Sequence, residues 1–487
     1  MTGAATDLLV VGGGPAGLAT AIQARLAGLS VRVLDRCRPP IDKACGEGLM
    51  PDAVARLGEL GVALPPGEGC RIRGIRYLDG DTVAEGVFPR AGGLGVRRLD
   101  LHRALVRRAE ELGVELCWGV AATGLAPAQP APARPSGEPA PVAQPGTPAP
   151  RLAEEPGRWL ASGAYTDRAG LELAAARWVV GADGLRSRVR QWAGLEPSSP
   201  PDRSRRFGVR RHFACRPWSD MVEVYWGPGC EAYVTPVGPR LVGVAMLWGG
   251  PERSAVADGQ ADVADEQAGA LAAPTAFASG AARALASFDH LLASFPALAA
   301  RLAGAPPASR DRGAGPLLQR ARAVVRGNVA LVGDAAGYVD AITGEGLAVA
   351  LHQAVALVAA LAPATRAAGN QPAAPEVTTL HAKLPYAGAL EAIALNATAP
   401  GRPAAPDDQA LARYAAAQRR IGRLPDNMTS LLLAIERRPW LRRRVVRALA
   451  AEPALFSRLL GIHARALPPA RLGIDGALRL VYRLVTV

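Results

Sequence analysis

A short apolar run, Asp7 to Val11, stops at the glycine cluster Gly12-Gly13-Gly14-Pro15-Ala16-Gly17, and an alanine- and leucine-rich segment carries on to Ala27. Gly28 reads as a helix stop, and Ser30–Leu34 reads as a second strand. A strand, a tight turn, a helix and a second strand within this length make a β–α–β unit, which commits the chain to an α/β fold around a parallel sheet. The glycine spacing Gly12-x-Gly14-x-x-Gly17 has a separate physical reason at each position. Gly12 permits the turn, Gly14 lets backbone amides approach a pyrophosphate, and Gly17 lets the helix pack closely on the strand. The helix N-terminus adds partial positive charge. Asp35 closes the second strand 18 residues after Gly17, where a carboxylate accepts hydrogen bonds from ribose hydroxyls. The unit therefore predicts a bound dinucleotide, and the acid disfavours a 2′-phosphate at this site.

The 487 residues leave room for two or three domains. Six cysteines form no CxxC pair, and six histidines show no HxxxH or HxH spacing, so no metal site is expected and a reduced, cytoplasmic setting is the default. The chain has no GxSxG motif and no 20–50-residue repeat, and no uninterrupted apolar run of about 18 residues argues for a spanning helix. The N-terminus lacks the basic region of a signal peptide. The formal charge of +13 is almost all arginine, since Lys43 and Lys383 are the only lysines.

Read for organisation, residues 1–125 form the first part of the dinucleotide domain, with helices near Asp52–Leu60 and Asp100–Leu112. Residues 126–157 collapse into Ala, Pro, Gly and Glu and read as a disordered insertion. Residues 158–200 return to the first domain, and 201–320 read as an antiparallel-sheet substrate domain with an Ala-rich insertion at about 251–287. Residues 321–362 complete the dinucleotide domain, and 363–487 form a helical, basic C-terminal region. The expected architecture is a Rossmann-like three-layer ββα domain interleaved with an antiparallel sheet, followed by helices.

Two further segments identify the nucleotide. GADGLRSRVR (Gly181 to Arg190) follows a strand, and NVALVGDAAGYVDAITGEGLAVALHQA (Asn328 to Ala354) crosses a strand, a loop and a helix. With the N-terminal fingerprint, these resemble the three FAD motifs of the para-hydroxybenzoate hydroxylase-type flavoproteins, in patches from Asp7 to about Leu361. By that resemblance the cofactor is FAD. Asp35 and Arg36 would hold the adenosine ribose end, and Arg98 would touch the cofactor. Asp183 and Gly184 match the Asp-Gly motif, and Gly333 and Asp334 match the Gly-Asp motif that contacts the ribityl–pyrophosphate chain. The helix beginning near Glu345, within Gly344-Glu345-Gly346, would aim its N-terminus at the flavin and stabilise its anionic reduced form. Taken alone, Asp183 or Asp334 reads equally as a turn or cap residue.

Several activities share these motifs. Lys43-Ala44-Cys45-Gly46-Glu47-Gly48-Leu49 resembles the Cys-Gly loop of geranylgeranyl reductases, in which Cys45 is a candidate proton donor or simply a packed small residue. Gly46 and Glu47 would lie at the cofactor, while Lys43 and Glu47 read equally as a solvated loop pair. The halogenase WxWxIP signature is absent, the nearest stretch being Cys230 to Pro236. The expectation is an NAD(P)H-driven monooxygenase that hydroxylates or epoxidises a lipophilic molecule through a flavin hydroperoxide, with the nicotinamide docking transiently. The alternative is a geranylgeranyl reductase-like C=C reductase or dehydrogenase. Prenyl chaperones share the architecture without flavin and would lack the intact cradle that this chain keeps.

Aromatic residues Phe207, Phe213, Trp218, Tyr225, Trp226 and Tyr233 fall in the antiparallel segment, where they either pack its core or line an apolar pocket. Residues 427–463 read as helices broken near Pro439 and Pro453, with Leu441, Val445 and Leu449 on one face and Arg443, Arg444 and Arg447 displaced from it. Such a helix can lie on a membrane, cap a hydrophobic tunnel, or pack on the body. From Leu411 to Val487 there are 15 arginines against four acids, which leaves the remainder nearly neutral. A nucleic-acid partner is therefore not expected, and peripheral membrane contact, if any, belongs to the tail.

Overall fold

The structure, a computed structural model, describes residues 6–89, 92–127, 159–165, 168–171, 176–197, 206–249, 287–367 and 406–486. The expected insertions therefore fall almost wholly outside the described residues.

The first layer follows from the N-terminal pattern. Strand β1 (Thr6–Val11) is buried along its whole length and lies at the middle of a six-stranded sheet. Helix α1 (Pro15–Leu26) and strand β2 (Val31–Asp35) complete the β–α–β unit, with β1 parallel to β2. A short strand β3 (Gly48–Leu49), helix α2 (Pro51–Glu59) and strands β4 (Cys70–Ile72), β5 (Gly74–Asp79), β6 (Thr82–Val87) and β7 (Gly93–Gly95) precede helix α3 (Arg98–Glu111). Strand β8 (Glu115–Trp118) pairs parallel with β2 at the sheet edge. Strands β9 (Val120–Pro127), β10 (Trp159–Tyr165) and β11 (Arg168–Leu171) make a small antiparallel sheet, and β9 carries the order two residues into the segment expected to be an insertion. Strand β12 (Ala176–Gly181) pairs parallel with β1 and leads to helix α4 (Arg188–Trp192).

The second sheet contains β13 (Arg206–Phe213), β14 (Met221–Gly227), β15 (Cys230–Gly238) and β16 (Leu241–Gly249). Helices α5 (Phe288–Leu292) and α6 (Pro296–Leu302) pack beneath it, and β17 (Arg312–Ala314) forms its edge. Strands β18 (Val325–Arg326) and β19 (Val329–Leu331) return to the first sheet, whose order is β18-β19-β12-β1-β2-β8. Long helix α7 (Gly346–Ala367) packs with α1. The C-terminal region is α8 (Pro406–Glu436), α9 (Pro439–Ala451), α10 (Pro453–His463) and α11 (Gly473–Thr486). The helix breaks fall at Pro439 and Pro453, where a ring without an N–H fits the first helical position.

The three layers are thus α1, α3 and α7, then the parallel sheet, then β9–β11. The second sheet differs from the sequence expectation in one respect. Its order is β17-β13-β16-β15-β14-β5-β6, so residues 74–87, read as part of the first domain, belong to it. The junction β14–β5 is parallel, which makes the sheet mixed rather than purely antiparallel. Segment Gly346–Thr365 of α7 is long and apolar enough to cross a membrane, although no uninterrupted apolar run marks it, and most of it is buried against the body.

The C-terminal helices are fixed by buried polar ties. Arg442 of α9 makes a bidentate pair with Asp79 of β5, at 3.0 and 3.1 Å. Arg206 of β13 reaches Glu231 at 2.7 Å, Asp340 at 2.9 Å and Glu436 at the end of α8 at 3.6 Å. Burial pushes the Glu231 carboxyl up to about 8 even with this guanidinium beside it. Tyr414 of α8 donates to the Leu331 carbonyl at 2.6 Å, joining the tail to β19.

Candidate functional site

The glycine turn at the end of β1 is shaped by steric exclusion. Gly12 has φ +113, and a Cβ there would stand 2.4 Å from the Ala182 carbonyl oxygen. A Cβ on Gly17 would lie 1.9 Å from the Gly12 oxygen, so this close crossing admits no side chain. At Gly14 the space is open, and the nearest atom to a Cβ would be Nη2 of Arg98 at 3.9 Å. No side chain caps α1, which starts with Pro15 at its first position, so its early N–H groups face the opening between Gly14 and Arg98. Pro15 and Ala16 line that opening. Asp35 binds the turn to the sheet: Oδ2 accepts from Gly13 N at 2.7 Å, and Oδ1 accepts from Cys37 N at 2.8 Å. Arg36 follows it on the exposed side.

The third motif meets the first directly. Gly333 has φ +61, and its Cβ would lie 2.7 Å from that of Ala16, which brings the Gly-Asp turn against the start of α1. Its N–H donates to Gln353 of α7 at 2.7 Å. Asp334 lines the cavity; burial raises its carboxyl, while Lys43 and Arg98 pull it back down. The Asp-Gly motif divides its work. Asp183 accepts from Ser187 Oγ at 2.5 Å, Arg188 N at 2.7 Å and Val189 N at 3.1 Å, so its carboxylate caps α4 rather than facing the opening. Gly184, with φ +86, lines the cavity beside the Lys43 ammonium, whose Nζ lies 3.3 Å from where a Cβ would be.

The 43–49 loop is pinned by Glu47, a buried residue held at φ +59. Glu47 Oε1 accepts from Arg98 N at 2.8 Å, which caps α3 from outside because that helix has no side-chain cap of its own. Oε2 meets His212 Nε2 of β13 at 2.6 Å. Arg210 Nη1 lies 3.1 Å from His212 Nδ1 and can only donate, so Nδ1 accepts and Nε2 carries the proton toward Glu47. Arg210 also pairs with Asp42, which Arg312 holds from the other side at 3.1 Å. Gly46 offers its carbonyl to Thr235 at 2.8 Å. Cys45 lines the cavity, and burial, partly offset by Arg98, raises its thiol and keeps it protonated.

Gly344 and Gly346 line the same cavity at the start of α7. Glu345 points elsewhere: Oε2 lies 3.5 Å from His463 Nδ1 of α10, and burial pushes its carboxyl up to about 8. The cavity has a volume of about 560 Å³. The FAD-binding motifs line one end, and β-sheet residues such as Val209, Val224 and Leu247 form a wall. Trp226 and Tyr233 reach it, whereas Phe207, Phe213 and Tyr225 pack the sheet core. The two tyrosines singled out for substrate contact are already engaged, Tyr225 with Glu223 at 2.7 Å and Tyr233 with the Ile342 carbonyl at 3.1 Å. Leu441, Val445 and Leu449 of α9 turn inward onto the cavity, so they cap the tunnel. Among the described residues no cluster of metal-ligating side chains occurs.

These residues fit a flavin dinucleotide. The steric exclusion at Gly12 and Gly17, the open approach at Gly14 and the uncapped helix match a pyrophosphate. So does Arg98, whose Nε is buried with no hydrogen-bond partner among the described residues.

Comparison with known proteins agrees. A family model described as an FAD binding domain matches residues 5–69. Menaquinone reductase of Mycobacterium tuberculosis (strain ATCC 25618 / H37Rv) is 37% identical over 123 residues, 24% of this chain and 30% of its own. The match thus spans under a third of that reductase. Digeranylgeranylglycerophospholipid reductase 1 of Methanopyrus kandleri is 27% identical over 350 residues, 71% of this chain and 77% of its own. The 6-methylpretetramide 4-monooxygenase of Streptomyces rimosus is 44% identical over 84 residues, 17% of this chain and 19% of its own. A flavoprotein/dehydrogenase from Cytophaga hutchinsonii shares the fold, with a TM-score of 0.66 at 16% identity over 99% of this chain and 100% of that one. Over its FAD-binding motifs the chain is similar to FAD-dependent oxidoreductases. Its relatives include both monooxygenases and reductases.

Proposed function

We propose that this chain is an NAD(P)H-driven, FAD-dependent monooxygenase that hydroxylates or epoxidises a lipophilic small molecule in the cavity. The observation that carries the reading is the apolar wall of Val209, Val224 and Leu247 facing the FAD-binding motifs across one chamber. Bound FAD supplies the redox chemistry. The chain's own residues hold it: Asp35 at the ribose end, the α1 N-terminus and Arg98 at the pyrophosphate, and Gly333–Asp334 beside them. The wall keeps water from the reacting centre, and an elongated apolar ligand is oriented by shape between the sheet and α9. Glu47 fixes the loop that closes one side, and Cys45 holds a proton there.

A second reading, saturation of an isoprenoid C=C bond, is favoured by that thiol, which burial keeps protonated inside the cavity. The two reductase relatives support it. Incubating the holoprotein with NADH or NADPH and candidate lipids under labelled dioxygen separates the two. Incorporation of one labelled oxygen atom is expected; gain of two hydrogens without oxygen would establish the second reading. Failure of either nicotinamide to bleach the flavin anaerobically would remove the direct-donor part of the proposal.

A further inference from the structure

Helix α11 has two apolar sides. Leu480 and Leu484 face inward and line the cavity. Ile474, Leu478, Val481, Tyr482 and Val485 recur at helical spacing on the outer side, each between 58% and 80% exposed. A contiguous exposed patch of this kind marks an interaction surface. The cavity lining also includes Leu431 of α8, which is 53% exposed, so the cavity reaches the surface at that residue.

Charge identifies what covers the patch. Residues 437–487 carry eleven arginines and only two acids, Glu452 and Asp475. Both acids are already paired, with Arg483 at 2.9 Å and Arg479 at 3.2 Å. Helix α9 packs beside α11, where Arg444 donates to the Val485 carbonyl at 2.7 Å. The exposed stripe of α9 is Trp440, Arg443 and Arg447, and these two arginines have no acidic partner among the described residues. An apolar helix face flanked by unpaired arginines, with Trp440 and Tyr482 at its borders, has the composition of a helix lying in an anionic lipid interface. A second copy of the chain fits poorly, since a twofold contact would set the same arginines against each other.

We propose that α11 and the exposed stripe of α9 dock this protein on an anionic bilayer. The cavity then opens between Leu431 and α11 onto that bilayer, so that a lipid-dissolved substrate enters without crossing water. The docking stands by itself, whereas the access route rests on the lipophilic-substrate reading above.

The test is sedimentation of the full-length FAD-loaded protein with phosphatidylcholine vesicles, with and without phosphatidylglycerol. Binding is expected to need the anionic lipid and to fall about fivefold for each of Arg443→Gln and Arg447→Gln. The double variant Leu478→Asp/Val481→Asp alters only outward-facing residues, so it should keep its flavin content and melting temperature while losing vesicle binding. No binding at low salt, or binding unchanged in that variant, would overturn the docking. So would a concentration-dependent dimer, formed without vesicles and abolished by the same pair, which would assign the face to a second copy. Transfer of a fluorescent long-chain alcohol from docked vesicles to the protein tests the access route. Intact docking without transfer overturns that route, and transfer without turnover instead points at the proposed reaction.

Discussion

Glu47 joins three elements that are far apart in sequence, so its removal should be felt at all three. In Glu47→Ala, α3 loses its only carboxylate cap, at Arg98 N, worth about 1 kcal/mol. His212 loses a buried charged acceptor at 2.6 Å, worth about 1.5–3 kcal/mol. Alanine relieves none of the strain at φ +59, so the loss is about 2.5–4 kcal/mol, or a melting shift of about 3–5 °C for a body of this size. Glycine loses the same contacts but sits freely in the left-handed region, so Glu47→Gly should be about 1 kcal/mol more stable than Glu47→Ala. The cost also reaches the cofactor, because Arg98 and Cys45 border the cavity on either side of Glu47. Flavin release followed by its fluorescence should occur at lower temperature in both variants. Thermal unfolding of the apo- and holoproteins measures both effects. A shift in Glu47→Ala below about 2 °C, or an alanine variant more stable than the glycine one, would refute the reasoning.

Cys45→Ser should keep turnover within about twofold if the thiol only packs, with product formation as the readout; a hundredfold loss of kcat at unchanged flavin content would mark proton donation and the reductase reading. Glu345 holds its proton up to about pH 8 in the folded state but releases it near 4.5 when unfolded, so its contribution to stability is complete below about 4.5 and is lost as pH rises through about 8. Glu345→Gln should therefore gain in melting temperature over the parent across that window and match it below, and a constant difference in a pH series of melts contradicts this. Arg442→Met leaves Asp79 buried and unpaired, at a cost of about 3–5 kcal/mol in urea unfolding, while adding Asp79→Leu should recover most of the loss.

The glycine turns were legible in the sequence because their requirements are local. Gly12, Gly17 and Gly333 are demanded by backbone conformation and close crossings that neighbouring residues set. Asp183 shows the limit of such reading: its motif suggested the cofactor, but Ser187 and two amides within six residues take its carboxylate as a cap. Glu47 was read as cofactor site or solvated loop because neither Arg98 N nor His212 can be identified as its partner from spacing. Residues 74–87, read only as part of the first domain, form β5 and β6 of the second sheet, a pairing to which spacing within the segment gives no clue. In the tail, the helix breaks at Pro439 and Pro453 were readable, but not that Leu441, Val445 and Leu449 would meet a cavity.

The parallel pairing of β14 with β5 has a consequence for how the molecule is made. Residues 221–225 register with 74–78, so about 150 residues of chain separate the partners. The sheet wall of the cavity therefore cannot close until β14 has left the ribosome, and α9 cannot seat Arg442 on Asp79, 363 residues apart, until later still. During that interval the apolar faces of β5 and β6 have no partner, which makes this the stretch where aggregation competes with folding. For the same reason no cut between the two sheets yields a self-sufficient fragment, and a chimera that exchanges the second sheet must carry residues 74–87 with it.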